Sequence, residues 1–432
     1  MTQRILLVNP PVYDFTAYDF WLKPYGLLTV AGFLRGKAEM LLFDYLDRMH
    51  PAVPKDRKLR YDQWGRGEYH SRRIDKPSCF AQIPRYYHRF GLPRKEFQDF
   101  LSEQKNFDCV LIQTGLTYWY PGVIETIKVI KESCPKAKIV LGGIYATLCP
   151  EHAKSLGADL MVEDSNLQEL WDLLNLSPNL EELPFWEGYE RLPVGVLKLT
   201  DGCPFQCTYC AVHKFYHRFR PRPLERSIRE LELLVSRGAK NVAFYDDALL
   251  YKAQEVLIPF LREVIRRKVR INFHTPNALH ARYITEGVAQ LMLEAGFKTF
   301  YLGFESCCDE WHDKTGSKVS SAEFAEAAKI LLSAGARPEQ ITAYQMLAHP
   351  GSDAQDVEDS MRFAHGLGIR VMLADFSPVP HTADGQACRR WVDIDEPLWH
   401  NKTAFPIVLL GNKEVNRLKD LTRQGNRKCC TQ

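Results

Sequence analysis

The sequence predicts an α/β protein made of two consecutive parallel-sheet domains, and three observations predict it. Apolar runs typical of buried strands alternate with helix-patterned stretches along most of the chain. The alternation breaks once, at the proline-marked stretch "NLSPNLEELPFWEGYERLP", and then resumes. A chain of 432 residues is also too long for one ordinary core.

The first block covers residues 1–180. "RILLVNPP" is a short strand stopped by two prolines. "YGLLTVAGFLRGK" has helical spacing, with Leu27, Val30, Ala31 and Leu34 on one face. "EMLLFDYL", "DCVLIQTGL", "AKIVLGGIYAT" and "ADLMVED" read as further strands, and "YPGVIETIKVIKESC" as an amphipathic helix. Such a series makes a Rossmann-like, doubly wound parallel sheet, which binds ligands at the carboxyl ends of its strands. Here those ends are "NPPVYDF", "TGLTYWY", "GGIYAT" and "EDSN". Residues 55–100 interrupt the block with a basic, aromatic insertion. Packing on the sheet edge is its ordinary role. A cap over the ligand crevice is the functional alternative, with Arg85, Tyr86, Tyr87 and Arg89 available to an anionic group.

Residues 181–194 read as a linker, and residues 195–385 as a second alternating block. Its strands are "VGVLKLT", "NVAFYDD", "RINFHTP", "KTFYLGFES", "QITAYQMLA" and "RVMLADFSPV", separated by helical stretches of which several end at glycine. Six strand–helix repeats suggest a partial (β/α)6, TIM-like barrel with its chemistry at the carboxyl ends of the strands. Residues 386–432 are too short for a domain. His400 and Asn401 in "DEPLWHNKTAF" are possible substrate contacts, with plain packing the commoner role for such a segment. Cys429 and Cys430 are expected to be disordered thiols.

Composition excludes more than it selects. A formal net charge of +3 does not point to nucleic acid. No apolar run approaches a membrane span. The start lacks a signal-peptide pattern, so a cytoplasmic protein with mostly reduced cysteines is expected. Cys79, Cys109, Cys134, Cys149 and Cys388 are scattered and read as packing residues.

The exception is "DGCPFQCTYCAVH", residues 201–213, directly after the first strand of the second block. Cys203, Cys207 and Cys210 have a C-x3-C-x2-C spacing that arises by chance in roughly 1% of such chains. Three chemistries suit it. A zinc site would add His213 to the three thiolates. A structural iron–sulfur cluster would need a fourth thiolate, Cys307 or Cys308. A four-iron cluster on three thiolates would keep one iron open to a substrate or cofactor.

The stretch resembles the loop of the radical S-adenosylmethionine (SAM) superfamily, including the aromatic residue, Tyr209, before the last cysteine. The resemblance implies that Cys203, Cys207 and Cys210 ligate a 4Fe-4S cluster, whose open iron chelates SAM and cleaves it to a 5′-deoxyadenosyl radical. It extends over most of the second block. "FYDDALL" implies that Asp246 or Asp247 meets the SAM ammonium, and "GFES" that Glu305 and Ser306 approach its ribose or amino acid part, with Tyr209 beside them. "SPVPHT" resembles a family "P-x-P-G-T" segment in which His381 replaces the glycine, which leaves the role of that segment open.

The first block resembles the cobalamin-binding domain fused to many of these enzymes, through "VNPP", "YGLLTVAGFLR", "TGLTYWYPGVIETIKVIK", "VLGGIYATLCPE" and "ADLMVED". It implies corrin contacts from Pro10, Pro11, Tyr13, Thr114, Gly115, Leu116, Thr117, Tyr118, Gly142 and Gly143. The family often has "G-E-G" where this chain has Asp164, Ser165 and Asn166. A Rossmann-like domain without cobalamin is the alternative. The chain has no histidine before His50, so the loop after the first strand supplies no axial ligand to cobalt.

Together these readings imply a cobalamin-dependent radical SAM methyltransferase acting on an unactivated carbon of a small-molecule or peptide substrate. An external one-electron reductant of flavodoxin or ferredoxin type would drive it. Radical cyclisation or rearrangement on the same scaffold, and a non-enzymatic cobalamin- or redox-responsive metal-binding protein, are the alternatives. Methylthio transfer is disfavoured, because the first block lacks a second cysteine triad.

Overall fold

The computed structural model describes residues 2–163, 166–316 and 318–429. The chain divides at Pro193/Val194 into two compact units, with residues 236–238 and 396–398 counted with the first. Among the described residues no helix is long and apolar enough to cross a membrane.

Unit 1 is built on five parallel strands: β1 (Gln3–Asn9), β2 (Ala38–Asp44), β3 (Cys109–Thr114), β4 (Lys138–Gly143) and β5 (Leu160–Val162). Their order is β5-β4-β3-β1-β2. Successive side chains of a strand point to opposite faces, and here both faces are apolar. Leu6, Val8, Val110, Ile112, Ile139 and Leu141 pack with Val123, Ile127 and Ile130 of helix Tyr120–Ser133. Ile5, Leu7, Leu111 and Val140 pack with Leu27 and Ala31 of helix Tyr25–Phe33 and with Leu170 and Leu174 of helix Gln168–Leu174.

The interrupting segment is more ordered than its composition suggests. Tyr87–Phe90 pairs antiparallel with both Ser71–Ile74 and Val12–Asp14, so the loop after β1 is held in a small sheet. Its last part is not an insertion. Residues Arg94–Gln104 form a helix whose Phe97 and Leu101 enter the core beside Phe43 and Tyr45. Three charges in "RKEF" mask that apolar face.

The proline-marked stretch packs as tightly as a core element. Trp186 and Tyr189 are buried, and the Tyr189 hydroxyl donates to Asp44 at 2.6 Å. Gly32 lets this segment approach, since a Cβ there would lie 2.1 Å from the Leu183 carbonyl.

Unit 2 holds a seven-stranded parallel sheet. Its strands are β6 (Val194–Leu197), β7 (Asn241–Phe244), β8 (Asn272–His274), β9 (Leu279–His280), β10 (Phe297–Glu305), β11 (Ile341–Leu347) and β12 (Arg370–Asp375). The order is β6-β7-β8-β10-β11-β12, with β9 also paired to β10. Amphipathic helices connect the strands, as with Leu257–Arg266, which buries Leu257, Phe260, Leu261 and Val264.

The tail is folded, contrary to the expectation for Cys429. Residues Asn412–Cys429 form a helix, and the Cys429 thiol faces the carbonyls of His365 and Ile369. Cys430 lies outside the described residues. His400 and Asn401 are packing groups. His400 is fully buried, with Nε2 2.8 Å from the Ile394 carbonyl. Asn401 accepts from the backbone of Thr403 and Ala404 and so opens helix Ala404–Leu410.

Candidate functional site

In unit 2 the parallel register brings the ends of β6, β7 and β10 to one edge, and the cysteine loop leaves from β6. The base of the loop is closed by antiparallel pairing of Thr200–Asp201 with Arg220–Pro221, and by Arg222 donating to both Asp201 oxygens at 2.8 and 3.1 Å. Gly202 has φ +78, and a Cβ there would lie 2.8 Å from the Arg218 carbonyl, so the turn requires glycine. The amide of Cys210 donates to the Cys207 carbonyl at 3.1 Å, which folds the last two cysteines onto one turn.

Cys203, Cys207 and Cys210 are free and partly exposed. Burial pushes the Cys203 thiol up to about 11, and the neighbouring Cys210 and Cys207 add to the shift. Burial also raises Cys207 and Cys210, opposed at both by the Lys318 ammonium. Such thiols are protonated near neutral pH, and binding iron or zinc would expel their protons. Among the described residues no three His, Cys, Asp or Glu side chains are arranged to hold a metal ion. His213, required by the zinc alternative, is exposed in the turn at Val212–Lys214. What fits is the donor set: three thiols on one loop, each close enough to perturb another, with a cation beside them.

The residues singled out for SAM divide into two groups. Asp246 is committed to the backbone. One oxygen accepts from the amides of Leu199 and Thr200 and from the Thr200 hydroxyl, at 2.6 to 2.9 Å. Burial raises its carboxyl to about 6 despite those bonds. Ser306 is likewise occupied: its hydroxyl accepts from the Cys308 amide and its carbonyl from His312. Asp247, Glu305 and Tyr209 instead face the cysteines. Asp247 bears on Cys203 and Cys210. The Tyr209 hydroxyl hydrogen-bonds the Cys207 thiol, and its ring stacks on Trp311 at 6.1 Å. Glu305 ends β10 at φ +64, a left-handed conformation that costs a non-glycine residue energy.

Two lysines complete this cluster, and the sequence reading did not identify either. Lys198 lies 3.2 Å from Asp201 and 4.0 Å from Asp247. Lys318 lies 3.1 Å from Glu305. Burial alone would depress the Lys318 ammonium, but Glu305 and the Cys207 sulfur hold it above its ordinary value. A lysine closing the apolar run "VGVLKLT" was a usable signal for Lys198. Lys318 sits in "TGSKVS", which has no periodic pattern.

In unit 1 the residues singled out for a corrin do gather at the carboxyl edge of the sheet, where Thr114 pairs with Gly143. Several are spent there on packing. The Thr114 hydroxyl donates to the Gly142 carbonyl at 3.0 Å and accepts from Ala146. Gly143 has φ +114, and a Cβ would lie 2.4 Å from the Thr114 carbonyl. Pro10, Pro11, Thr117 and Tyr118 are buried. Tyr13 and Arg89 both bind Glu125, so Arg89 is not available to an anionic ligand. Tyr87 is buried, with its hydroxyl on the Tyr13 carbonyl. Tyr86 is exposed under Arg73, apart from Arg85, which bonds the Pro84 carbonyl. What remains partly exposed is Gly115, Leu116, Gly142 and Gly143. At Gly142 a Cβ would meet only Val162, at 3.7 Å, so packing does not require glycine there. Asp164 and Ser165, in place of "G-E-G", lie outside the described residues. His152, not singled out from sequence, lies beside Tyr145 and Tyr120.

A parallel-sheet domain with three thiols on the loop after its first strand defines a class, and comparison with known proteins agrees. Residues 197–364 match the radical SAM superfamily. The matched stretch is a radical SAM domain and the chain is an enzyme; domains of this superfamily bind a 4Fe-4S cluster and SAM. Among curated proteins it is 24% identical over 317 residues to an uncharacterized methyltransferase of Pyrococcus horikoshii, covering 63% of this chain and 68% of that one. It is 30% identical over 283 residues to the threonylcarbamoyladenosine tRNA methylthiotransferase MtaB of Thermotoga maritima, covering 60% and 64%. The chain thus spans about two thirds of the length of these relatives. Among solved structures, the radical SAM methyltransferase TsrM of Kitasatospora setae has a TM-score of 0.65 at 15% identity, over 90% of this chain and 76% of that one. The cobalamin-dependent radical SAM enzyme OxsB has a TM-score of 0.58 at 12% identity, over 98% and 61%. At these identities the likeness establishes the fold.

Proposed function

We propose that this chain is a cobalamin-dependent radical SAM methyltransferase that methylates an unactivated carbon of a small molecule or peptide. The observation that supports it best is the three-thiol loop of unit 2, carried in the same chain as a unit 1 sheet edge where Gly142 is not needed for packing. The fold shared with TsrM and OxsB, whose solved forms hold cobalamin, runs in the same direction.

Cys203, Cys207 and Cys210 would hold the 4Fe-4S cluster, and Gly115, Leu116, Gly142 and Gly143 would lie against the corrin. Bound there, the cluster supplies the electron that cleaves SAM, and cobalamin supplies a methyl carrier. The residues of the chain then bind and orient. Asp247 and Glu305 offer carboxylates to the cationic cofactor. Lys318 offsets the negative charge of the thiolates. Tyr209 donates to Cys207 and fixes the direction of its sulfur. The electron comes from an external one-electron reductant.

Two other outcomes use the same parts. Radical cyclisation or rearrangement would need no methyl carrier. Methylthio transfer, the chemistry in the name of MtaB, is disfavoured by unit 1, where Cys109 and Cys134 are buried and Cys79 and Cys149 are too few for a second triad. One experiment separates the three. The anaerobically reconstituted chain is given SAM, a reductant and candidate substrates, and the products are quantified. Methyl transfer yields S-adenosylhomocysteine together with 5′-deoxyadenosine. 5′-Deoxyadenosine alone overturns the methyltransferase reading, and no cleavage of SAM overturns the cobalamin-dependent radical reading as a whole.

A further inference from the structure

The segment "SPVPHT" has His381 where the family segment it resembles has glycine, and the backbone there is of the kind glycine favours. His381 has φ +64, the left-handed conformation that glycine adopts freely. The turn continues tightly. The Thr382 hydroxyl donates to the Val379 carbonyl at 2.7 Å and accepts from the Gly385 amide at 3.0 Å, opening helix Ala383–Ala387. A Cβ at Gly385 would lie 1.9 Å from the Val379 carbonyl. A strained histidine and an obligatory glycine therefore serve to aim one short helix.

That helix delivers Asp384 to the cysteine loop. Its Oδ2 accepts from the Thr208 hydroxyl at 2.5 Å and lies 2.9 Å from His349 Nε2. Its amide donates to the Thr208 carbonyl at 3.2 Å. His349 Nδ1 faces two groups that can only donate, Trp311 Nε1 and the Gly351 amide, each at 3.0 Å. The ring proton is therefore on Nε2 and points at Asp384. Trp311 also stacks on Tyr209. Thr208 and Tyr209 are the two residues between Cys207 and Cys210, and both are gripped by this network.

We propose that Asp384, backed by His349 and Trp311, is a positioning residue that holds the Thr208–Tyr209 turn and so sets the geometry and charge around Cys207 and Cys210. This rests on the reading that those cysteines carry the cluster. Surrounding hydrogen bonds and charge help to set the potential of an iron–sulfur centre. An anion fixed beside the turn disfavours an added electron, so Asp384 keeps the potential low, as reductive cleavage of SAM requires.

The test uses the reconstituted full chain with Thr208→Val, Thr208→Ser, Asp384→Asn and, as a remote control, Glu326→Gln. Iron per chain, the midpoint potential and the electron paramagnetic resonance spectrum of the reduced cluster are measured. Asp384→Asn is expected to move the potential to a more positive value. Thr208→Val is expected to alter the spectrum or lower iron retention, and Thr208→Ser to restore both. Glu326→Gln should change none of these. Potentials and spectra identical to the parent in Asp384→Asn and Thr208→Val overturn the proposal, as does a Thr208→Ser variant as impaired as Thr208→Val. If the parent takes up no iron, the cluster reading fails instead, and the alkylation rate of Cys207 in the metal-free chain decides. Faster alkylation in Thr208→Val with parental rates in Thr208→Ser keeps the positioning role, and equal rates in all three remove it.

Discussion

The Lys318 ammonium lies 3.1 Å from the Glu305 carboxylate and directly over Gly303, where a Cβ would lie 2.7 Å from its nitrogen. A buried pair of this kind holds one positive and one negative group beside the cysteines. Removing either partner alone leaves an uncompensated charge.

Glu305→Ala is expected to weaken SAM binding several-fold while iron content stays at the parental level. The stranded Lys318 would also lower stability by about 3 kcal/mol. The double variant Glu305→Gln with Lys318→Met removes both charges and should recover most of that stability without recovering affinity. Calorimetric titration with SAM and thermal melting separate the two effects. Unchanged affinity in both variants would remove Glu305 from the cofactor site.

Asp246 has a pH signature that follows from its burial. Its carboxyl is raised from 3.8 to about 6. The folded state therefore binds the proton more tightly than the unfolded state, and stability falls as pH rises from about 4 to about 6, then levels. The whole effect is of order 3 kcal/mol, from a shift of about two units. In Asp246→Asn this component vanishes. The difference in melting temperature between variant and parent should change in the variant's favour between pH 4.5 and pH 7. A difference independent of pH would show that Asp246 does not titrate in that range.

How far the sequence reveals these features depends on what each residue does. The three cysteines were legible because their spacing is local and rare. Glu305 stood out only through the resemblance of "GFES" to a family segment, since a carboxylate closing an apolar strand is by itself ordinary. Asp246 and Asp247 were not separable, since adjacent strand-end residues face opposite ways and only the fold shows which is spent on Leu199 and Thr200. Lys318 acts through a contact that crosses a loop without periodicity. Helix Arg94–Gln104 was hidden because its charges outnumber its two buried residues, Phe97 and Leu101.

The closing helix of unit 2 offers a test of packing alone. Asn426 donates to the Val371 carbonyl and accepts from the Val371 amide, both at 2.8 Å, and so completes the free edge of β12. Gly425 makes the approach possible, because a Cβ there would lie 2.0 Å from the His365 ring. Gly425→Ala is expected to cost about 1–3 kcal/mol despite the helix preference of alanine. Denaturant unfolding measures it, and a stabilised variant would show that the helix does not pack this way.

The last prediction concerns cobalt. The loop after β1 carries no histidine, and its residues Val12–Asp14 are held as a strand against Tyr87–Phe90. Tyr13 is bonded to Glu125. Nothing in that loop coordinates cobalt strongly. His152 lies outside that loop and is the nitrogen to test, since its Nδ1 bond to the Tyr145 hydroxyl at 2.5 Å and its burial-lowered basicity are both compatible with a neutral metal ligand. From the loop alone, cobalamin is expected to bind with its own base displaced and with no protein nitrogen on cobalt, a state that is easier to reduce because axial ligation is a lever on metal redox chemistry. Electron paramagnetic resonance of the cob(II)alamin form checks this. No splitting from a strongly coupled axial nitrogen is expected, and His152→Ala should leave the spectrum unchanged. A nitrogen splitting that disappears in His152→Ala would make His152 the axial ligand. A splitting that survives would mean the base of the cofactor stays bound, and no uptake at all would leave unit 1 as a sheet domain without cobalamin.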